Sequence, residues 1–128
     1  MSQNRSHGGR LHKRAASGFR GYPVATIAFY GPDNNHASKV AVGIVLQEGA
    51  EASYLEKWWS EDNDVRNDPL IGRGILMFID HHHAKTVIMT DRIIGCPHEE
   101  GVDYPKGAAC PRCPYWANRD RWTGELLR

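Results

Sequence analysis

The chain has 128 residues, of which 41% are hydrophobic and 24% charged. That suffices for one compact domain, is too little for two with separate cores, and disfavours a disordered, collagenous or disulfide-framework protein. No run approaches the roughly 18 apolar residues of a membrane span, and the polar opening Met1-Ser2-Gln3-Asn4-Arg5 carries no apolar signal region, so a soluble, cytoplasmic protein is expected.

The formal net charge of +1 hides an uneven distribution. Arg5, Arg10, Lys13, Arg14 and Arg20 stand in the first twenty residues, with His7 and His12 and without an Asp or Glu. This segment takes five of the sixteen basic residues and none of the fifteen acidic ones, so the body is about −4. Residues 1–20 read as a flexible basic arm, and 21–128 as a single domain. Such an arm binds phosphate backbones by counterion release, or it is a solvated terminus of the ordinary kind.

From Val24 to Tyr30 the sequence is β-branched and aromatic, and Gly31-Pro32-Asp33-Asn34-Asn35 breaks it with turn-forming residues. Lys39 to Leu46 is a second such run, and the two predict an antiparallel hairpin. Within Ala52 to Trp59, the spacing of Tyr54, Leu55, Trp58 and Trp59 predicts a short helix. Ser60 to Asp64 is a polar acidic loop that lacks the alternating acids and central Gly of a calcium loop. Asp68-Pro69 opens a second helix, carried to about His82 by Leu70, Ile71, Ile75, Phe78 and Ile79. His81, His82 and His83 fall at its end, where neighbouring side chains diverge by about 100° and cannot all face one metal. Lys85 to Thr90 is a third strand with Asp91 at its end. The fold class is therefore α/β or α+β, a small mixed sheet with an N-terminal hairpin, two helices on one face and a C-terminal metal-bound loop region.

The chemistry concentrates in residues 95–116. Cys96-Pro97-His98 and Cys110-Pro111-Arg112-Cys113 give the order Cys-x-His and Cys-x-x-Cys, which takes in all three cysteines. Thiolates and imidazole suit tetrahedral zinc, and the two-residue gap lets Cys110 and Cys113 meet one ion from a tight knuckle. Four ligands close a structural site, and a metal cross-link explains how a turn-rich segment without apolar runs holds a shape. Three other readings compete: a disulfide, which leaves one cysteine over; a redox pair at Cys110 and Cys113; and an iron–sulfur cluster.

His98-Glu99-Glu100 with Cys110-Pro111-Arg112-Cys113 resembles part of the zinc deaminase signature. It departs in its short gap, in having Ala109 where a proline is expected, and in placing Cys96 where the catalytic water belongs. A longer likeness runs from about Val87 to Trp122. The blocks Gly95-Cys96-Pro97-His98-Glu99-Glu100-Gly101, Asp103-Tyr104-Pro105 and Cys110-Pro111-Arg112-Cys113-Pro114-Tyr115-Trp116 resemble a small bacterial family of uncharacterised proteins. The resemblance implies a bacterial, self-contained zinc-binding domain and supplies no substrate or catalytic residue.

Tyr115 to Trp122 interleaves aromatics with arginines. Such a surface stacks bases while guanidinium groups hold phosphates, or else Trp116 and Trp122 pack under the metal loop and leave the arginines outside. The favoured expectation is a binding or adaptor module with a structural Cys3His zinc site at Cys96, His98, Cys110 and Cys113. Its partner is a nucleic acid or a protein, with nucleic-acid contacts at Arg10, Lys13, Arg14, Arg112, Arg119 and Arg121. The alternative is a metal-dependent hydrolase with Asp91, Glu99 and Glu100 as candidate catalytic carboxylates beside His98. A third reading makes the tryptophans an oligomer interface.

Overall fold

In the computed structural model, which describes residues 11–127, four strands form one sheet. The strands are β1 (Val24–Tyr30), β2 (Lys39–Val45), β3 (Tyr54–Trp59) and β4 (Thr86–Ile93), in the spatial order β3-β2-β1-β4. β1 and β2 form the expected antiparallel hairpin, from Val24 opposite Val45 to Tyr30 opposite Lys39. Its loop is shaped by Asp33, whose carboxylate accepts from the backbone N–H groups of Asn35 and His36. β3 lies antiparallel on the outer side of β2, and β4 runs parallel to β1 on the other side. The mixed sheet and helices make an α+β fold.

The segment Ala52 to Trp59 is not a helix. Tyr54–Trp59 is the edge strand β3, pairing Tyr54 with Ile44 and Trp59 with Lys39. The aromatic spacing fits both periods, and the free edge of β2 decides between them, because Tyr and Trp suit a pleated surface with a partner beside it. The two adjacent tryptophans therefore point to opposite faces. Trp58 meets Phe78 edge to face at 6.0 Å between ring centres, and Trp59 is 53% exposed on the far side.

Helix α2 (Pro69–His81) begins where Asp68 and Pro69 predict. The Asp68 carboxylate accepts from the N–H groups of Leu70 and Ile71, satisfying two donors that the first turn leaves open. Ile71, Ile75, Leu76 and Ile79 face the sheet. They pack with Ala25, Ile27 and Phe29 of β1, with Val40, Val42 and Ile44 of β2, and with Val87 of β4. Full burial of each large side chain contributes about 1.5–3 kcal/mol.

Residues 11–16, part of the basic arm in the sequence reading, are helical (α1). Leu11 is 5% exposed in the core and Ala15, one turn later, packs against it. The two helices on the core face are thus α1 and α2. Arg14 is committed as well, with one guanidinium nitrogen 2.8 Å from the Asp80 carboxylate and the other donating to the Ala84 carbonyl. Arg5, Arg10 and His7 lie outside the described residues.

The other sheet face stays open over much of its area, with Leu55 57% and Ile88 55% exposed. Between Ile27 and Phe29 of β1 the partners on β4 jump from Met89 to Ile93, so β4 bulges across positions 90–92. Beyond the bulge, β4 delivers Ile94 and Gly95 to the end of β1, where Ile94 N–H bonds the Phe29 carbonyl and Gly31 N–H bonds the Gly95 carbonyl. The chain then turns onto the open face. Among the described residues no helix is long and apolar enough to cross a membrane.

Candidate metal centre

Cys96, His98, Cys110 and Cys113 come together as the spacing predicts. Their ligand atoms all lie within 4.8 Å of one another, and the group could hold a metal ion. His98 presents Nδ1, at 3.3 Å from Cys96 Sγ and 3.5 Å from both Cys110 Sγ and Cys113 Sγ. Two tight turns bring this about. The His98 N–H donates to Cys96 Sγ at 3.2 Å, and the Cys113 N–H closes the knuckle on the Cys110 carbonyl at 3.3 Å. The three cysteines are free of disulfides.

Burial drives the Cys113 thiol well above its ordinary range, and the neighbouring Cys96 and Cys110 sulfurs add to it. Burial likewise pushes the Cys96 thiol up, against the pull of the His98 N–H. Three thiolates in so small a space repel one another, and a bound cation removes that conflict by displacing the protons.

The centre is tied to the sheet by residues that the sequence reading did not single out. Lys39, first in β2, is 5% exposed, and its ammonium donates at 3.0 Å to the Pro97 carbonyl between two ligands. It also lies 4.6 Å from the Trp59 ring centre and 5.4 Å from that of Tyr30. Burial and the nearby Lys57 lower its pKa, while Glu99, Asp103 and Cys96 pull the other way. Gly31 holds both ends of the segment, since its N–H bonds Gly95 and its carbonyl accepts from the Trp116 indole at 2.8 Å. A Cβ there would collide with the His36 carbonyl, which is why the position is glycine. A lysine opening an apolar strand and a Gly-Pro closing one were the available signals.

The candidate carboxylates shape the loop. Glu99 pairs with Lys57 at 2.7 Å and lies 3.8 Å from Lys39, and Lys57 first, then Lys39, holds its carboxyl below the usual range. Its N–H donates to Asp103, while the Glu100 carboxylate accepts from Gly107 N–H. Asp91 falls in the bulge of β4, and its side chain lies outside what is described.

The arginines are split. Arg119 lies 4.3 Å from the Tyr115 ring centre and donates to the Gly124 carbonyl, whereas Arg112 and Arg121 are exposed. Lys13 is exposed on α1, and Arg14 bonds Asp80 of α2 and the carbonyl of Ala84 just before β4, about 20 Å of strand away from the metal segment at the other end of β4. Trp116 packs against the core, as expected of a tryptophan under the loop, but Trp122 is 62% exposed, because the turn capped by Asp120 faces it outward. His82 stacks on Tyr54 at 4.3 Å, and among the described residues the histidine run forms no metal group.

Two clefts flank the centre. One, of about 370 Å³, is lined by Tyr30, Lys39, Lys57, Cys96, His98 and Arg121 among others, and the second, of about 290 Å³, by Cys96, Tyr104, Cys110, Trp116 and Arg121 among others. No family model, no curated protein and no solved structure matches this chain.

Proposed function

We infer that this protein is a small zinc-binding module in which Cys96, His98, Cys110 and Cys113 form a closed structural site, and that its task is binding. The three Nδ1···Sγ separations of 3.3, 3.5 and 3.5 Å carry this reading. With Zn–S near 2.3 Å and Zn–N near 2.0–2.1 Å, a tetrahedral ion sets that separation at about 3.5 Å. Three soft sulfurs and one imidazole favour zinc over harder cations, and three free thiols fit a reducing cytoplasm. Arg112, Arg121 and the exposed Trp122 put cations and an aromatic ring at the surface of one segment, which suits a nucleic-acid strand.

Metal analysis of untagged protein with X-ray absorption tests the site. About one zinc per chain with three sulfurs and one nitrogen is expected. An oxygen ligand with fewer sulfurs would bring forward the hydrolase reading through Glu99 and Glu100, and absence of metal would overturn the centre. For the partner, fluorescence anisotropy with labelled single strands across a salt series is expected to show binding that weakens steeply with salt. No binding at low salt would remove the nucleic-acid part.

A further inference from the structure

The three sulfurs are unequally shielded. Cys113 is 2% exposed and lines neither cleft, while Cys110 is 7% exposed and lines the smaller one. Cys96 is half-buried and lines both. Two cations border it. Arg121 lines both clefts and lies along Gly95, its Nε 3.5 Å from where a Cβ would stand. On the side of the sheet, Lys39 is anchored on the carbonyl of the residue that follows Cys96. Glu100 lines both clefts and Glu99 the larger, so charges of both signs surround them, with the cations in excess. A site sealed for structure alone would shield all its thiolates, whereas here one nucleophilic sulfur faces two open spaces.

We propose that Cys96 is the reactive thiolate of this centre, a modification site for small hydroperoxides, and that its oxidation joins it to Cys110 and leaves Cys113 as a thiol. The proposal rests on the zinc reading above. A lone pair of Cys96 Sγ attacks one peroxide oxygen, the O–O bond breaks, and hydroxide (or alkoxide) departs and takes a proton from solvent. Cys96 is then a sulfenic acid. Cys110 lines the same cleft, and its thiolate attacks the Cys96 sulfur, forming the S–S bond as the S–O bond breaks and a second hydroxide leaves. Two electrons pass from the two thiolates to the peroxide. With two of its four ligands gone, the metal dissociates, and the C-terminal segment loses its cross-link.

The prediction runs against sequence proximity, since Cys110 and Cys113 in Cys-x-x-Cys are the pair that spacing alone would join. The test uses the full chain loaded with zinc, its metal content measured first. Limiting hydrogen peroxide is added with a chromophoric zinc chelator present, remaining thiols are alkylated in denaturant, and linked peptides are identified by mass spectrometry. Zinc release in step with a Cys96–Cys110 disulfide, and a dimedone adduct on Cys96 when that reagent is present, are expected. A Cys110–Cys113 disulfide appearing first, a dimedone adduct on another cysteine, or zinc retained under peroxide that consumes free glutathione would overturn the proposal. A chain that takes up no zinc before peroxide is added fails the metal reading instead.

Discussion

The sheet with its two helices and the segment after β4 are held together by different means. In the first, Val40, Val42, Ile44 and Ile79 are each 0% exposed and belong to one apolar cluster. In the second, the buried residues between His98 and Leu127 are Cys110 and Cys113 alone. An apolar core is replaced by four ligand atoms, Trp116 packed on the edge of the main core, and polar ties from Gly31, Lys39, Lys57 and Arg92. A stretch of some thirty residues lies below the size at which apolar burial by itself sustains a fold. The difference teaches that a metal held by these four ligands would stand in for a core in the second region, and that losing it should leave the first standing.

Removing the metal gives the largest effect. Chelation, or Cys113→Ala, is expected to take hydrogen-exchange protection from the amides of Ala117, Arg119 and Leu127 while those of β1, β2 and α2 keep theirs. Binding of a structural zinc ion is worth about 10–16 kcal/mol in small zinc domains, far more than the remaining ties supply. Equal loss in both regions would dissolve the distinction. Ile79→Ala is the converse experiment, with an expected loss of about 2–5 kcal/mol in urea unfolding from a cavity at a fully buried site. Because the metal segment leans on the sheet, this change should weaken both regions together.

Much of this division was legible in the residues. The β-branched runs from Val24 and from Lys39 have no helical competitor, and Asp68-Pro69 fixes a helix start through dihedral preference and capping, both local effects. The ligand set was legible because metal binding restricts both residue type and spacing. Tyr54–Trp59 was not, since its aromatics satisfy either period until the edge of β2 is in place. Leu11 offered one large apolar residue, with only Ala15 and Ala16 after the basic run, too little pattern for a helix. Lys39 and Gly31 act across 58 and 64 positions of the chain, on Pro97 and Gly95, and no local pattern encodes such a pairing.

Lys39 joins the two regions, and removing its charge probes the joint. Lys39→Met keeps an apolar stem beside the Trp59 and Tyr30 rings but deletes the bond to Pro97 and the charge near Glu99. Competition with a chelator is expected to show zinc affinity lowered by about 10–100-fold, the range for groups that orient ligands. The urea midpoint of the metal-free chain should change little by comparison. An unchanged affinity would mean that the Cys96-Pro97-His98 turn is set without the sheet.

The smallest effect is a pH dependence confined to the helix-covered region. Burial by itself would raise the Asp64 carboxyl, but the Arg66 guanidinium and the N–H groups of Ala37 and Arg66 outweigh it and hold the group below the usual carboxylate range. Its two oxygens accept from Arg66 and from Ala37 N–H at 2.9 Å, fastening the hairpin loop to the turn before α2. A carboxyl with a depressed folded pKa contributes stability that is fully present above its unfolded pKa, near 3.9, and that is lost as pH falls through the folded value. Urea unfolding of wild type and Asp64→Asn, compared at each pH from neutrality downward, is expected to show a difference that is constant at neutral pH and shrinks in acid. Any release of metal by acid acts on both proteins alike and cancels in the difference. A difference independent of pH would assign the contribution of Asp64 to hydrogen bonding that an amide cannot reproduce, with no part from its charge.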